Sequence, residues 1–251
     1  MSVLVATHKP YWMPADELYM PIRVGACDAA PIDGLAHDDT GDNISEENGR
    51  YSELTGLYWG WKNLSGDHLG LVHYRRHFKG SGERGTLTGE EARCLLSRVP
   101  LILPKRRNYY IETVESHYAH TFDELHIACL RLALEASCPE YLPAFNAVMA
   151  QRGFHAFNMF IMRRDLAERY CAWLFEVLHL AESGIDFTGM TPFHERCMGR
   201  MGEFLIDTWA LTNEVAYAEV PVANMEPVNW VKKGGGFLAA KYFGKRYEKS
   251  F

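Results

Sequence analysis

Short apolar runs that end in polar residues alternate along the chain with longer segments of helical periodicity. Val3–Ala6 is apolar and runs into Thr7-His8-Lys9, which predicts a buried strand that ends in a polar loop. In Ser52–Asn63 the apolar residues are three and four apart, as on one face of a helix. The same two patterns predict further strands over Ile22–Ala26, His68–His73, Pro100–Leu103 and Phe157–Met162, and further helices over Phe122–Ala136, Pro139–Gln151, Asp165–Leu180 and Cys197–Leu211.

Strands separated in sequence by amphipathic helices are typical of an α/β domain in which a sheet is sandwiched by helices. The 251 residues are 47% hydrophobic, which is enough for one buried core. From Pro31 to Arg50 the chain is rich in Asp, Gly, Asn and Ser without periodicity, which predicts a long functional loop. We therefore predict a single domain over residues 1–228.

The last segment, Asn229–Phe251, differs from the rest in charge. It carries six lysines and arginines against one acid, Glu248, and aromatic residues are interleaved with these charges. Such a segment suits an amphipathic element on an anionic membrane surface, and it equally suits a helix that packs on the domain. We treat residues 229–251 as a basic aromatic tail and keep both interpretations.

Charge and hydropathy exclude several classes of protein. The net charge of −6 argues against a nucleic-acid binder, which is usually basic. The start of the chain lacks the pattern of a signal peptide, and no apolar stretch approaches the roughly 18 residues of a membrane span. We expect a cytoplasmic protein, with peripheral attachment to the inner face of the cell membrane through the tail as an open alternative.

The sequence His73-Tyr74-Arg75-Arg76-His77 carries the strongest local signal. Two guanidinium groups at the end of a strand can hold a diphosphate through bidentate hydrogen bonds. Strict alternation along a strand would place Arg75 and Arg76 on opposite faces, so that only one points into a site. The alternative is an ordinary basic strand end in solvent.

A second candidate is the group Asp38, Asp39, Asp42 and Asn43 in the long loop. Clustered carboxylate and amide oxygens suit Mg²⁺ or Mn²⁺, or the hydroxyls of a sugar. Asp, Gly and Asn also set tight turns and cap helices, and composition alone favours that structural role.

Weaker candidates lie elsewhere along the chain. Glu203, in the pattern Arg196-x-x-Gly199-x-x-x-Glu203, is a candidate general base, although a single helical glutamate is usually solvated. Thr7-His8-Lys9 ends the first strand, where polar contacts to a nucleotide are common. His155 and Asn158 precede the strand predicted at FNMFIM.

A metal-dependent hydrolase is a further interpretation. His8, His37, His73 and His77 could combine with the Asp cluster, but no H-x-H or H-E-x-x-H spacing supports this. The six cysteines form no C-x-x-C pair, so the sequence predicts no zinc site at the cysteines.

Taken together, these segments resemble a known bacterial family, DUF4422, which is found in capsular, exopolysaccharide and O-antigen clusters and is grouped with GT-A-type glycosyltransferases. The residues that carry the resemblance are Ala6–Pro14, the pattern Tyr19-x-Pro21-Ile22-x-Val24-Gly25-Ala26, Asp38–Ser45, Asn48, Ser52–Asn63, Leu69–Phe78, Phe157–Met162, the pattern Tyr170-x-x-Trp173-Leu174-Phe175, and Arg196-x-x-Gly199-x-x-x-Glu203.

The resemblance implies a GT-A-like, Rossmann-like mixed sheet and a nucleotide-sugar donor. It favours a UDP-linked donor, with UDP-galactofuranose as a candidate, and a glycan or lipid-linked acceptor in surface polysaccharide synthesis. The alternative in the same pathway is a non-catalytic sugar-binding or scaffold protein. The chain contains no D-x-D, the motif that usually holds a metal at the donor diphosphate in GT-A enzymes. We therefore expect Arg75 or Arg76 to replace part of that charge, with Asp38, Asp39 and Asp42 as a fallback site for Mg²⁺ or Mn²⁺.

The site residues follow from the resemblance and the local patterns together. The expected catalytic group is Glu203, as base in an inverting transfer, with Arg75, Arg76 and His73. The expected donor-binding residues are Thr7, His8, Lys9, Asp39, Asp42, Asn43, Tyr74, Asn158 and Arg196.

Overall fold

The computed structural model describes residues 1–226, so the predicted tail, Asn229–Phe251, lies outside the described residues. The strands, in chain order, are β1 (Ser2–Thr7), β2 (Tyr19–Arg23), β3 (Ala36–His37), β4 (His68–His73), β5 (Arg76–Phe78), β6 (Leu101–Pro104), β7 (Arg107–Asn108), β8 (Gly153–Phe154), β9 (Phe160–Arg163), β10 (Tyr217–Val220) and β11 (Val222–Asn224). The helices are α1 (Asn48–Tyr51), α2 (Leu54–Asn63), α3 (Gly89–Leu96), α4 (Val114–Thr121), α5 (Leu125–Ser137), α6 (Leu142–Ala150), α7 (Arg164–Glu182), α8 (Pro192–Glu195) and α9 (Cys197–Thr212).

Nine of these strands form one mixed sheet. The order along its main path is β10-β6-β9-β4-β1-β2-β3, and β5 pairs with both β4 and β11 at one end. The central strands β4, β1 and β2 are parallel, whereas β9 runs antiparallel between β4 and β6. Parallel neighbours bring the carboxyl ends of β1 and β4 to the same edge, where Ala6 pairs with His73.

Both faces of the sheet are buried, and the strand residues alternate between two cores. In β1, Leu4 and Ala6 face the larger core, which contains residues of α2, α5, α6, α7 and α9. Val3 and Val5 face the smaller core, beside Ala92 of α3. Burial on both faces explains why the strands read as continuous apolar runs in the sequence.

Several predicted boundaries are wrong for local reasons. The second strand ends at Arg23 instead of Ala26 because Gly25 adopts a left-handed conformation, with φ of 64°, and begins a short 3-10 helix. The strand predicted from Phe157 begins only at Phe160. The sequence analysis missed α3 and α4, which are short, and it missed β10 and β11 after the last predicted helix.

Within residues 1–226 no helix has both the length and the apolar character needed to cross a membrane.

Candidate active site

A cavity of about 330 Å³ lies at the carboxyl edge of β1 and β4. Thr7 is the last residue of β1, His8 follows it, and His73 is the last residue of β4. All three line the cavity. The backbone N–H of Tyr74 donates to the carbonyl of Ala6 at 3.1 Å, which extends the pairing past the last ladder residue. The carboxyl ends of strands are where ligands bind in open α/β sheets. The cavity therefore lies where the sequence predicted a site.

Both predicted arginines line this cavity. The chain reverses direction after His73, through Tyr74 and Arg75, and the antiparallel β5 starts with Arg76 paired to His73. The expectation that only one arginine faces the site is wrong, because the strand ends before Arg75 and alternation no longer applies. The Arg76 guanidinium lies 4.5 Å from the centre of the Phe157 ring. Burial, followed by the charge of Arg75, lowers the pKa of Arg76.

Cationic side chains outnumber carboxylates around the cavity. The residues that line it include five arginines, against the two glutamates Glu53 and Glu203; the arginines are Arg75, Arg76, Arg107, Arg196 and Arg200. Burial and then the positive charges of nearby Lys9 and Arg196 lower the pKa of His8. The cavity is thus an electropositive site in a chain whose net charge is −6, which favours a ligand carrying several negative charges.

The backbone of one residue, Phe157, organises the polar side of the cavity. The backbone N–H of Phe157 donates to Glu203 Oε2 at 2.7 Å, and the carbonyl of the same residue accepts from His73 Nε2 at 2.5 Å. Phe157 and Asn158 both have positive φ, at 80° and 53°. Consecutive non-glycine residues in this region are strained, and such strain is concentrated at functional sites in proteins.

Glu203 is buried, with 7% of its surface exposed, so the solvated alternative is wrong. It lies on α9, and its two carboxylate oxygens both accept hydrogen bonds. Oε2 accepts from Phe157, and Oε1 accepts from Arg200 at 3.1 Å. Burial acts to lower the pKa of Arg200, but the charges of Glu203 and then Glu53 oppose it, so that the pKa is raised overall.

Glu53 is a cavity carboxylate that the sequence analysis missed. It directly precedes α2, and its Oε1 accepts from the side-chain amide of Asn158 at 2.7 Å. His73 Nε2 lies 3.8 Å from the same oxygen. Oε2 of Glu53 has no hydrogen-bond partner within residues 1–226. A glutamate before a helix is a common helix start, so its sequence context carried no signal of a site.

Thr7, His8 and Lys9 lie at the edge of the cavity in different ways. Thr7 is buried, and its hydroxyl donates to the Lys9 carbonyl at 2.6 Å. His8 lines the cavity and packs edge-on against Tyr74, with ring centres 5.3 Å apart. Lys9 is not in the cavity wall, and its Nζ lies 5.4 Å from the centre of the Tyr74 ring. Tyr74 and Arg196 line the cavity with His8.

Asn158 supports the cavity from behind its wall. Its side-chain amide donates to Glu53 and also to the backbone carbonyl of Gly199 at 2.9 Å. Asn158 is 3% exposed, so the structure places it as a link between Glu53 and α9 and not on the open surface of the site.

The Asp cluster does not lie in the cavity wall. Asp38 is fully buried and accepts four hydrogen bonds; the donors are the backbone N–H groups of Gly25 and Ala26 and the hydroxyls of Ser45 and Thr55. Asn43 bonds to backbone groups of its own loop, Asp42 accepts from the Tyr58 hydroxyl at 3.2 Å, and Asp39 is exposed.

These contacts fit turn chemistry and loop anchoring. Asp38, Asp39 and Asp42 do not form a group able to share a metal ion in the described part of the chain, so the fallback metal site is not formed. Asp39, Asp42 and Asn43 are not among the residues that line the cavity.

His155 is a structural residue outside the cavity wall. It is buried, and its backbone N–H donates to Asp207 Oδ2. Its Nδ1 contacts Asp207 Oδ1, and its Nε2 lies 2.9 Å from Glu219 Oε1.

A metal-dependent hydrolase would require a cluster of metal ligands at the cavity, and within residues 1–226 none lies there. Over residues 1–226, the group with metal-binding spacing is Glu47, His179 and Glu182, none of which lines the cavity. Glu182 already pairs with Arg50 and accepts from the Tyr51 hydroxyl at 2.8 Å.

This mixed sheet between helices, with its cavity at the carboxyl ends of the parallel strands, is a GT-A-like fold, as predicted. A solved structure described as the apo form of WbbM, a bifunctional glycosyltransferase, is similar with a TM-score of 0.81 and 25% identity over 90% of this chain. The chain spans 45% of that protein's chain. The chain belongs to the family described as Domain of unknown function (DUF4422), whose profile matches residues 2–214, which confirms the resemblance found in the sequence. A comparison with curated proteins found no match.

Proposed function

We propose that this protein is a glycosyltransferase that moves a sugar from a nucleoside-diphosphate donor to a hydroxyl group of an acceptor. The observation that carries the proposal is the placement of Arg75 and Arg76 together in an electropositive cavity at the carboxyl ends of β1 and β4. The GT-A-like fold and the likeness to a structure described as a glycosyltransferase support it.

The arginines are suited to the charge that develops during transfer. When the bond between the sugar and the diphosphate breaks, negative charge builds on the leaving diphosphate oxygen. Guanidinium groups already in place stabilise that charge, and bidentate contacts also orient the phosphates. Arg75 and Arg76 take this role in our proposal, and Thr7, His8, Tyr74 and Arg196 form the surrounding donor site.

The two cavity carboxylates divide the remaining work. In an inverting transfer the acceptor oxygen attacks the anomeric carbon, the bond to the diphosphate breaks, and the acceptor proton passes to a base. Both oxygens of Glu203 already accept hydrogen bonds, from Phe157 and Arg200. Within residues 1–226, Oε2 of Glu53 has no hydrogen-bond partner. We assign the base to Glu53 and treat Glu203, the candidate from the sequence, as a positioning residue.

The residues of the cavity do not fit a Mg²⁺ or Mn²⁺ site of the usual kind. Such ions favour several carboxylate or carbonyl oxygens. The cavity wall offers two carboxylates, Glu53 and Glu203. Both oxygens of Glu203 and one of Glu53 already accept hydrogen bonds, and no metal-binding group includes either residue in the described part of the chain. We therefore derive no step through a metal ion.

The finer identity of the substrates extends the proposal. We take UDP-linked sugars, with UDP-galactofuranose first, as the donors to test. For the acceptor we take a glycan or lipid-linked oligosaccharide of capsular, exopolysaccharide or O-antigen synthesis. These choices rest on the family resemblance in the sequence.

The test is a thermal-shift panel with UDP, GDP, CMP, dTDP and their sugars, each with and without Mn²⁺. A ligand that binds the folded state raises the melting temperature with its occupancy. We expect one nucleotide to raise it without Mn²⁺. Arg75→Ala and Arg76→Ala should each abolish the shift, and Arg98→Ala, an exposed arginine outside the cavity, should keep it.

Two results would count against the proposal. No shift with any nucleotide would favour the non-catalytic sugar-binding or scaffold alternative. A metal-dependent activity that survives loss of both arginines would overturn the assignment of the diphosphate to them.

A further inference from the structure

A second surface feature lies beside the cavity, in the segment 105–111, which we name the 105–111 arm. It follows β6, contains β7, and pairs with β8 through Arg107 and Asn108. Arg107 and Tyr109 turn toward the cavity and line it. The rest of the arm lies on the outer surface, where Lys105, Arg106, Tyr110 and Ile111 are exposed.

The tip of the arm is apolar. Tyr110 is 77% exposed and Ile111 is 51% exposed, and they are adjacent in sequence. Within residues 1–226, three other large apolar residues are at least as exposed as Ile111. They are leucines that are not adjacent in sequence, Leu125 and Leu132 on α5 and Leu211 on α9. An isolated exposed leucine needs no explanation, whereas a paired apolar tip on a loop is a feature of interaction sites.

The conformation of the tip is held against local strain. Tyr110 has φ of 60°, which is unfavourable for a residue with a side chain. The Arg152 guanidinium donates to the Tyr110 carbonyl at 3.1 Å and so holds the turn. The backbone N–H of Ile111 donates to the carbonyl of Tyr109 at 2.7 Å. The fold thus maintains an exposed apolar pair that contributes nothing to the core.

Positive charge surrounds this tip. Lys105, Arg106, Arg107 and Arg152 are all exposed. The carboxylates close to them in sequence or space are already engaged: Glu112 is buried and bonded to His117 and His120, and Glu219 contacts His155 and Arg106. The arm is therefore a basic patch on a chain whose net charge is −6.

We propose that the 105–111 arm is a docking surface for an anionic lipid bilayer. Tyr110 and Ile111 enter the boundary between headgroups and acyl chains, and the outward-facing cations Lys105, Arg106 and Arg152 contact anionic headgroups. Apolar insertion flanked by lysine and arginine is the combination by which proteins bind such surfaces reversibly. The apolar ring and polar hydroxyl of Tyr110 suit the headgroup level. This inference does not depend on the proposed transferase activity.

The arm also fixes how the protein would lie on the bilayer. Arg107 and Tyr109 face the cavity while their neighbours face outward, so docking would place the cavity mouth beside the membrane surface.

The experiment is flotation of the full chain with vesicles of phosphatidylcholine alone and with about 30% phosphatidylglycerol. The test variant is Tyr110→Ser with Ile111→Ser, and the matched control is Leu132→Ser, which removes a single leucine that is 64% exposed on α5. The basic tail stays in every variant, so its contribution is constant. We expect the unaltered chain to bind the anionic vesicles, more weakly as salt is raised. The affinity of the double variant for anionic vesicles should fall about tenfold or more, because it loses most of the inserted apolar area.

Folding is checked separately, because both altered residues are exposed and the melting temperature should not change. Lys105→Glu provides a second test that leaves the apolar tip intact. It should weaken binding to anionic vesicles and leave binding to neutral vesicles unchanged. Three results would overturn the proposal: no binding of the unaltered chain, equal binding to neutral vesicles, or full binding by the double variant. The last result would assign the binding to another part of the chain.

Discussion

The Glu203 carboxylate accepts the backbone N–H of Phe157 at 2.7 Å, and this bond ties α9 to the strained segment before β9. The same carboxylate holds Arg200, so one side chain contacts both a cavity arginine and the residue whose carbonyl bonds to His73. Because Glu203 is buried, its removal leaves polar groups that water reaches poorly.

Glu203→Ala should therefore lower the free energy of unfolding by about 2 kcal/mol, since the partly buried N–H of Phe157 and the Arg200 guanidinium lose their acceptor. Glu203→Gln should recover part of this loss, because its carbonyl oxygen can accept from Phe157. Urea denaturation of both variants measures the difference, with Glu176→Ala, an exposed glutamate on α7, as control. Equal stability of the alanine variant and the native protein would show that the bond does not hold the segment.

Glu53→Gln should abolish transfer but not donor binding. The glutamine oxygen can still accept from Asn158, so the geometry is kept while the base is lost. General-base catalysis contributes about 10²- to 10⁴-fold, and we expect a rate loss of that size. Turnover with the donor found by thermal shift is the measurement, and an unchanged thermal shift is the internal control. If Glu53→Gln keeps its turnover while Glu203→Gln loses it, the base is Glu203 and our assignment is wrong.

Asp38 and its neighbour Asp39 form a matched pair for testing loop anchoring. Asp38→Ala removes a fully buried carboxylate and strands four donors, so the free energy of unfolding should fall by about 3 kcal/mol or more. Asp39→Ala changes an exposed residue, so its free energy of unfolding should lie within about 0.5 kcal/mol of the native value. Chemical denaturation decides between them. Similar small effects for both would mean that the loop is held mainly by other contacts.

His77 should make stability depend on pH. Burial, with a smaller effect of His73, lowers the pKa of His77 to about 4, below the ordinary value of 6.5. Between these values the unfolded chain binds more protons than the folded protein. The contribution of His77 to the free energy of unfolding is therefore complete above pH 6.5 and is lost as the pH falls toward 4, by about 3 kcal/mol in total.

The measurement is urea denaturation at several pH values for the native protein and for His77→Phe, whose ring fits the aromatic surroundings of Tyr19 and Trp12. The native protein should lose more stability than the variant between pH 6.5 and 4. Parallel pH curves for the two proteins would contradict the assignment to His77.

Elements with strong periodicity were predictable from the sequence. His68–His73 has the predicted bounds, and the helix predicted over Ser52–Asn63 begins two residues later, at Leu54. The run FNMFIM shows where this reasoning stops. Its apolar composition predicts a strand from Phe157, but contacts from Glu203 and His73 hold Phe157 in a left-handed conformation that no local pattern reveals.

In the site, too, the sequence shows the residue types, whereas their contacts depend on the fold. Arg75, Arg76 and His73 were singled out because they lie at the end of a predicted strand, and Glu203 because it belongs to a pattern that carries the family resemblance. Glu53 was missed because a glutamate before a helix looks ordinary, and only folding brings it to Asn158 and His73. The Asp38 cluster was ambiguous for a related reason: composition shows available oxygens, and it does not show that four protein donors already occupy those of Asp38.

The contact at Phe157 also bears on how the site can be mapped by mutation. Its N–H and carbonyl, not its side chain, bond to Glu203 and His73. An alanine scan keeps every peptide group, so it would test the ring of Phe157 while passing over its two polar contacts. Replacement by proline removes the N–H, and an ester bond in place of the peptide removes it without a change of side chain. Two polar contacts in the cavity wall thus rest on backbone atoms that ordinary mutagenesis leaves untouched.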